Sequence, residues 1–142
     1  MQISLEVSPS FTPSLSIRLL QGVEEKKKEE KKVGLLTCSG DINVEKSRKN
    51  GQQDIFWRNG TFLIPMTDYE EFMEITKIPI LIPAETHLTG LDGTRYELKI
   101  RSDMSWIIYS WWEEPPEGWE VLGEYASKLI KYTKDHVEQE QS

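Results

Sequence analysis

The residues of this sequence that could bind a metal or act as a nucleophile are few and lie far apart. Two histidines are present, His87 and His136, and neither belongs to a metal-ligand motif such as HExxH. His87 is expected in a loop and His136 near the end of a helix. The single cysteine, Cys38, lies within an apolar stretch, which predicts a small core residue rather than an activated thiol. We therefore predict no metal site and no cofactor.

Carboxylates are the other side chains that could act in catalysis, and the chain has 24 of them. Asp92, Asp103, Glu113 and Glu114 are the nearest candidates for an acid-base pair, but Asp92 and Asp103 already fit turn positions. The sequence has neither a GxSxG nucleophile motif nor a glycine-rich phosphate loop. A non-enzymatic protein is favoured, and a small hydrolase or small-ligand-binding protein that uses acidic residues near Asp92 is the alternative.

Aromatic and aliphatic side chains in the last third of the chain are the stronger indication of function. The segment 95–101 alternates strictly between apolar and charged residues, which predicts a strand with one apolar face. A turn at Ser102-Asp103 would set Leu98 opposite Ile107 on the next strand. This register predicts four core residues in the hairpin: Tyr96, Leu98, Ile107 and Tyr109.

The same alternation turns three apolar side chains of the second strand to the opposite face. Either another strand or the charged run 24–32 covers them, or they form an exposed patch that binds a protein. The acidic residues that follow would give such a patch a negative rim. The predicted partner-binding residues are Trp106, Ile108, Trp112, Glu113, Glu114 and Glu117.

The remaining patterns predict the elements that position this hairpin. Segments 2–7 and 14–20 indicate strands, placed at sheet edges because of the prolines between them. Asn59-Gly60 fits a two-residue turn that would pair Trp57 with Phe62 and Ile55 with Ile64.

Two helices are expected. Thr67 and Glu70 fit a capping box that begins a short helix over 67–76, and the proline-bounded run 78–83 indicates an extended, buried linker. Apolar residues at three- and four-residue spacing from Trp119 to His136 predict a final helix of about five turns. The fold class is therefore α+β: an antiparallel β meander packed by a C-terminal α-helix, with one short additional helix.

Length and charge limit the possible partners. The 142 residues fit one domain, within which 24–32 is expected to be a flexible charged loop or a frayed helical turn. The net charge of −7 opposes binding to nucleic acid and to anionic membranes, and favours a partner with a basic surface. No signal peptide or membrane segment is recognisable, so a cytoplasmic location is expected.

Three stretches carry a resemblance to known proteins: residues 8–13 (SPSFTP), 90–98 (GLDGTRYEL) and 111–119 (WWEEPPEGW). In these stretches the chain resembles a set of small uncharacterised bacterial proteins of the accessory or immunity type, which have no assigned catalytic residues. The lysine-glutamate run 24–32 departs from that pattern. The resemblance implies a binding protein, for example an immunity protein that neutralises a bacterial toxin by covering its active site. A homodimer in which the tryptophan patch meets its twofold mate is a further alternative.

Overall fold

A computed structural model describes residues 1–10, 14–26, 29–40, 59–82 and 93–141. Within these ranges six strands form one sheet: β1 (Gln2–Pro9), β2 (Leu15–Lys26), β3 (Glu29–Gly40), β4 (Gly60–Ile64), β5 (Thr94–Ser102) and β6 (Ser105–Trp112). The helices are α1 (Met66–Met73), followed by a 3-10 turn (Glu74–Lys77), and α2 (Glu120–Gln141). Neighbouring strands are antiparallel, and their order is β4-β3-β2-β1-β5-β6. The predicted α+β class is confirmed.

One face of the sheet carries the core, as the period-two alternation requires. Leu5 of β1 lies between Ile17 of β2 and Leu98 of β5, and all three are fully buried. Helix α2 packs on this face with Leu122 and Leu129, which are also fully buried. Burial of such side chains contributes about 1.5–3 kcal/mol each, so this layer is the main source of stability.

The sequence prediction of edge strands was wrong, because β1 and β2 lie inside the sheet. Pro9 is the last residue of β1, where its missing N–H does not interrupt the ladder. Strands β2 and β3 continue into the charged run and form a hairpin in which Glu24 lies opposite Lys31. Residues 24–26 and 29–32, which were expected in a flexible charged loop or a helical turn, are instead paired strand residues, and Lys27 and Lys28 lie outside the described residues.

The short helix is present, but its predicted capping box is not. Pro65 occupies the N-cap of α1, no side chain caps the helix, and the Pro65 carbonyl accepts hydrogen bonds from Asp68 and Tyr69 N–H. The helix begins at Met66, two residues before the first helical residue that a Thr67 N-cap would give, and it turns Tyr69 and Phe72 toward the core. The Tyr132 hydroxyl of α2 donates a 2.7 Å hydrogen bond to Asp68, which joins the two helices.

Three other expectations have different outcomes. The linker after α1 is mostly exposed, with Leu81 79% and Ile82 95% exposed, although Ile80 packs against the core. The Leu81 carbonyl accepts a 2.7 Å hydrogen bond from Trp119 Nε1. His136 lies five residues before the end of α2 and packs between Phe62 and Tyr132. The predicted partners Trp57 and Ile55 lie outside the described residues, and Gly60 is the first residue of β4.

Cys38 is a core residue, as predicted. It is 1% exposed and lies opposite Ile17 of β2. Burial raises the pKa of its thiol, because the thiolate would lose its hydration. A raised pKa and a lack of solvent access both oppose nucleophilic chemistry at this cysteine.

Candidate functional site

The β5–β6 hairpin holds the residues predicted to bind a partner, and its register differs from the prediction. The turn is Asp103-Met104, with Ser102 opposite Ser105, and the φ angle of Asp103 is +46°. Leu98 therefore faces Tyr109 rather than Ile107. The shift of two positions leaves every side chain on its predicted face, because side chains alternate with a period of two.

The beginning of β6 is apolar and exposed. Met104 is 91% exposed, Trp106 59%, Ile107 55% and Ile108 48%, and we call these four residues the apolar end. Trp106 and Ile108 point to the sheet face opposite α2, as predicted. Ile107 points to the same face as Leu98 but is exposed, so the prediction that it is a core residue was wrong. The exposed residues therefore lie on both faces of one strand.

The surroundings of Trp106 are cationic, which corrects the prediction of a negative rim there. Arg101 lies directly opposite Trp106 and Lys99 opposite Ile108 on β5. Lys99 Nζ is 5.7 Å from the centroid of the Trp106 ring, within the range of a cation-π contact. The surface around Trp106 is therefore positively charged, although the net charge of the chain is negative.

Trp112 lies at the other end of β6. It is six positions along the strand from Trp106, or about 20 Å, so the two tryptophans do not form one patch. Trp112 is half-buried, and its indole lies against Gly93, where an added Cβ would be 2.8 Å from Nε1. Gly93 has a φ of +154°, a conformation that favours glycine.

Glu113 ends the hairpin and is held in place by two hydrogen bonds. Its N–H donates to the Thr94 carbonyl at 2.7 Å, and its carboxylate accepts from Thr94 N–H at 2.6 Å. The φ of Glu113 is +56°, which turns the chain out of the sheet. Its carboxylate therefore has a fixed position at the mouth of a groove.

That groove, which we call the acidic groove, lies between the end of the β5–β6 hairpin and the beginning of α2. Its volume is about 570 Å³. Tyr96 and Trp111 are stacked there, with ring centroids 5.5 Å apart and ring planes 10° from parallel. Among the described residues, four carboxylates and no lysine or arginine line it: Glu113, Glu114, Glu120 and Glu124.

Two pKa shifts report the electrostatics of the acidic groove. Burial, with the charges of Glu113 and Glu114, raises the pKa of the Tyr96 hydroxyl. Hydrogen bonds from backbone N–H groups, including that of Gly118 at 2.9 Å, lower the pKa of Glu120 and keep its carboxylate ionised. The groove is therefore a region of negative potential beside an aromatic surface, which is an arrangement that accepts a lysine or arginine side chain.

Sequence reasoning named only part of this groove. Glu113 and Glu114 line it, whereas Glu117 is exposed outside it. Glu120 and Glu124 were missed, although their spacing of four residues places them on one face of a helix. Tyr96 was assigned to the core alone, since nothing in the local pattern indicates that helix α2 leaves its ring accessible. Gly123 lets Pro115 approach the helix, because an added Cβ would be 2.8 Å from Pro115 Cγ.

Asp92 and His87 lie outside the described residues. In the part of the chain that the structure describes, no group of three or more His, Cys, Asp or Glu residues is arranged to hold a metal ion. No helix within that part is long and apolar enough to cross a membrane. No protein family matches this chain, and searches of curated proteins and of solved structures also find no match.

Proposed function

We propose that this chain is a non-enzymatic protein-binding protein whose partner inserts basic side chains into the acidic groove. The observation that carries the proposal is the groove itself, with four carboxylates around the stacked rings of Tyr96 and Trp111. Carboxylates bind guanidinium groups through paired hydrogen bonds, and aromatic faces attract the same cations.

The partner class we propose is a protein with a basic surface, such as a bacterial toxin that this chain would neutralise. Support for this class comes from the net charge of −7, which speeds encounter with a cationic protein, and from the resemblance to immunity-type proteins. A toxin whose active site binds an anionic substrate would present such a surface. Trp112 and Glu117, which adjoin groove residues in the chain, would lie at the edge of the interface.

A fluorescent arginine-rich peptide provides the first test, together with a glutamate-rich peptide of equal length. The groove variant is Glu114→Gln with Glu124→Gln. The matched control is Glu25→Gln with Glu138→Gln, since these glutamates are exposed far from the groove in sequence and their loss changes the net charge equally. We expect the groove variant to weaken binding of the basic peptide by about tenfold and the control by about twofold or less.

Capture from extracts of the native cell extends the test to the natural partner. We expect a basic protein to be retained by the unaltered chain and by the control, and lost with the groove variant. If both variants weaken binding equally, only net charge attracts the peptide and the groove assignment is wrong.

A further inference from the structure

Strand β6 has a free edge among the described strands, since it pairs with β5 alone. The hydrogen bond from Glu113 N–H to the Thr94 carbonyl shows that Thr94 and Glu113 form a hydrogen-bonded pair of the antiparallel ladder. Because such pairs alternate along an antiparallel ladder, Tyr109 and Ile107 also bond to β5, and the backbone groups of Trp106 and Ile108 point to the free edge.

Strand β6 lacks two of the usual protections of a sheet edge against pairing. Residues 105–112 (SWIIYSWW) contain no proline and no charged residue, although edge strands are usually blunted by both. The apolar end exposes large side chains on both faces of the strand. An added strand would bond to the backbone groups and cover these side chains together.

We propose that this added strand is β6 of a second copy of the chain, paired antiparallel about a twofold axis that passes through Ile107. Trp106 of each copy then lies opposite Ile108 of the other, and the two Ile107 residues face each other. The two sheets become one continuous twelve-stranded sheet. The proposal is independent of the groove function, which uses the opposite end of β6.

Symmetry and side-chain chemistry select this register. A twofold axis normal to the sheet sets even-numbered residues of one copy opposite even-numbered residues of the other. The backbone groups that point to the free edge therefore face each other across the two copies. Centring on Ile107 sets Trp106 opposite Ile108 and the two Ile107 residues opposite each other, with Ser105 opposite Tyr109 at the ends. Centring on Tyr109 would instead pair Ile108 with Ser110. It also keeps the glutamates at positions 113 and 114 of the two copies apart and leaves both acidic grooves open.

The interface is small. Pairing covers about five residues of each strand, so the buried area falls at the low end of specific interfaces, below about 1,200 Å². We therefore expect an equilibrium between monomer and dimer at micromolar to near-millimolar concentration rather than a permanent dimer.

Sedimentation of the purified chain at several concentrations is the first test. We expect the weight-average mass to rise from monomer toward dimer, and Ile107→Lys to reduce association by at least tenfold, since two lysines would meet on the axis. Leu63→Lys is the matched control, because Leu63 is a 52% exposed strand residue at the opposite edge of the sheet. We expect the control to associate like the unaltered chain.

Disulfide crosslinking tests the register. Facing residues of a non-hydrogen-bonded pair have Cα atoms about 4.5 Å apart, which suits a disulfide. With oxidised glutathione as the oxidant, Ile107→Cys should give a covalent dimer, while buried Cys38 stays reduced. Ser110→Cys is the control, since its two copies would be about 20 Å apart in this register.

Each outcome decides the proposal. A covalent dimer from Ile107→Cys but not from Ser110→Cys supports it. A mass that stays monomeric, equal effects of Ile107→Lys and Leu63→Lys, or preferential crosslinking through Tyr109→Cys would overturn it. Loss of peptide binding in the groove variant with unchanged dimerisation would show that the two ends of β6 act separately.

Discussion

Replacing Leu98 and Ile108 with alanine, one at a time, tests which face of the β5–β6 hairpin is buried. Leu98 is fully buried, opposite Leu5 on one side and Tyr109 on the other. Truncating such a leucine removes apolar contacts and leaves a cavity, which costs about 2–5 kcal/mol. Ile108 is 48% exposed. Its truncation loses about half of a burial worth about 1.5–3 kcal/mol and leaves no closed cavity, so the expected cost is about 1 kcal/mol.

The two variants should therefore differ clearly in stability. A loss of about 3 kcal/mol at Leu98 corresponds to a fall in Tm of about 12 °C for a domain of this size, whereas Ile108→Ala should lower Tm by about 4 °C. Urea unfolding followed by tryptophan fluorescence measures both free energies, with the slope m expected to stay constant. The unfolding experiments should use protein concentrations at which sedimentation shows a monomer.

Equal costs at the two positions would refute the face assignment. A larger cost at Ile108 than at Leu98 would mean that the apolar end is covered and the strand is turned over. In either case the exposure of Trp106 and the free edge of β6 would lose their support.

Two further predictions concern single residues. Gly93→Ala should lower the free energy of unfolding by about 1–3 kcal/mol, because Gly93 has a positive φ and an added Cβ would collide with the Glu113 carboxylate. Urea unfolding measures this free energy. An unchanged value would contradict the contact. The Tyr125 hydroxyl is buried with no hydrogen-bond partner among the described residues, and burial raises its pKa. Because the Tyr125 hydroxyl ionises more readily in the unfolded chain, its raised pKa in the folded state leaves the free energy of unfolding intact below about pH 10 and lowers it at higher pH. Tyr125→Phe should therefore leave the free energy of unfolding at pH 7 unchanged or raise it by up to about 1 kcal/mol, and it should reduce the fall in that free energy at alkaline pH. A lower free energy of unfolding in the variant would contradict this reasoning.

Local patterns predicted the elements well where side-chain periodicity is strong. The alternation in 95–101 and the three- and four-residue spacing after Trp119 correctly predicted a strand and a helix. Boundaries were less accurate: the β5–β6 turn lies one residue later than predicted, and α1 begins without its capping box. Turn position and helix start depend on packing against the core, which a local pattern does not contain.

The candidate site was predicted only in part, for a similar reason. Alternation correctly turned Trp106 and Ile108 away from the core. The acidic groove also needs Glu120 and Glu124 from another element, and its floor uses Tyr96, which pairs with Trp111 across the hairpin. A set of residues drawn from two strands and a helix becomes visible only when the helix is docked.

The amino-acid sequence alone determined the class of fold, the buried face of each strong strand and the overall negative charge, because these follow from composition and from periods of 2 and 3.6 residues. Tertiary structure decided the order of the strands, which made β6 an edge and β1 an interior strand. It also decided where charges gather, with arginine and lysine beside Trp106 and glutamates around Tyr96. Both results depend on contacts between residues far apart in the chain, and a local period carries no information about those.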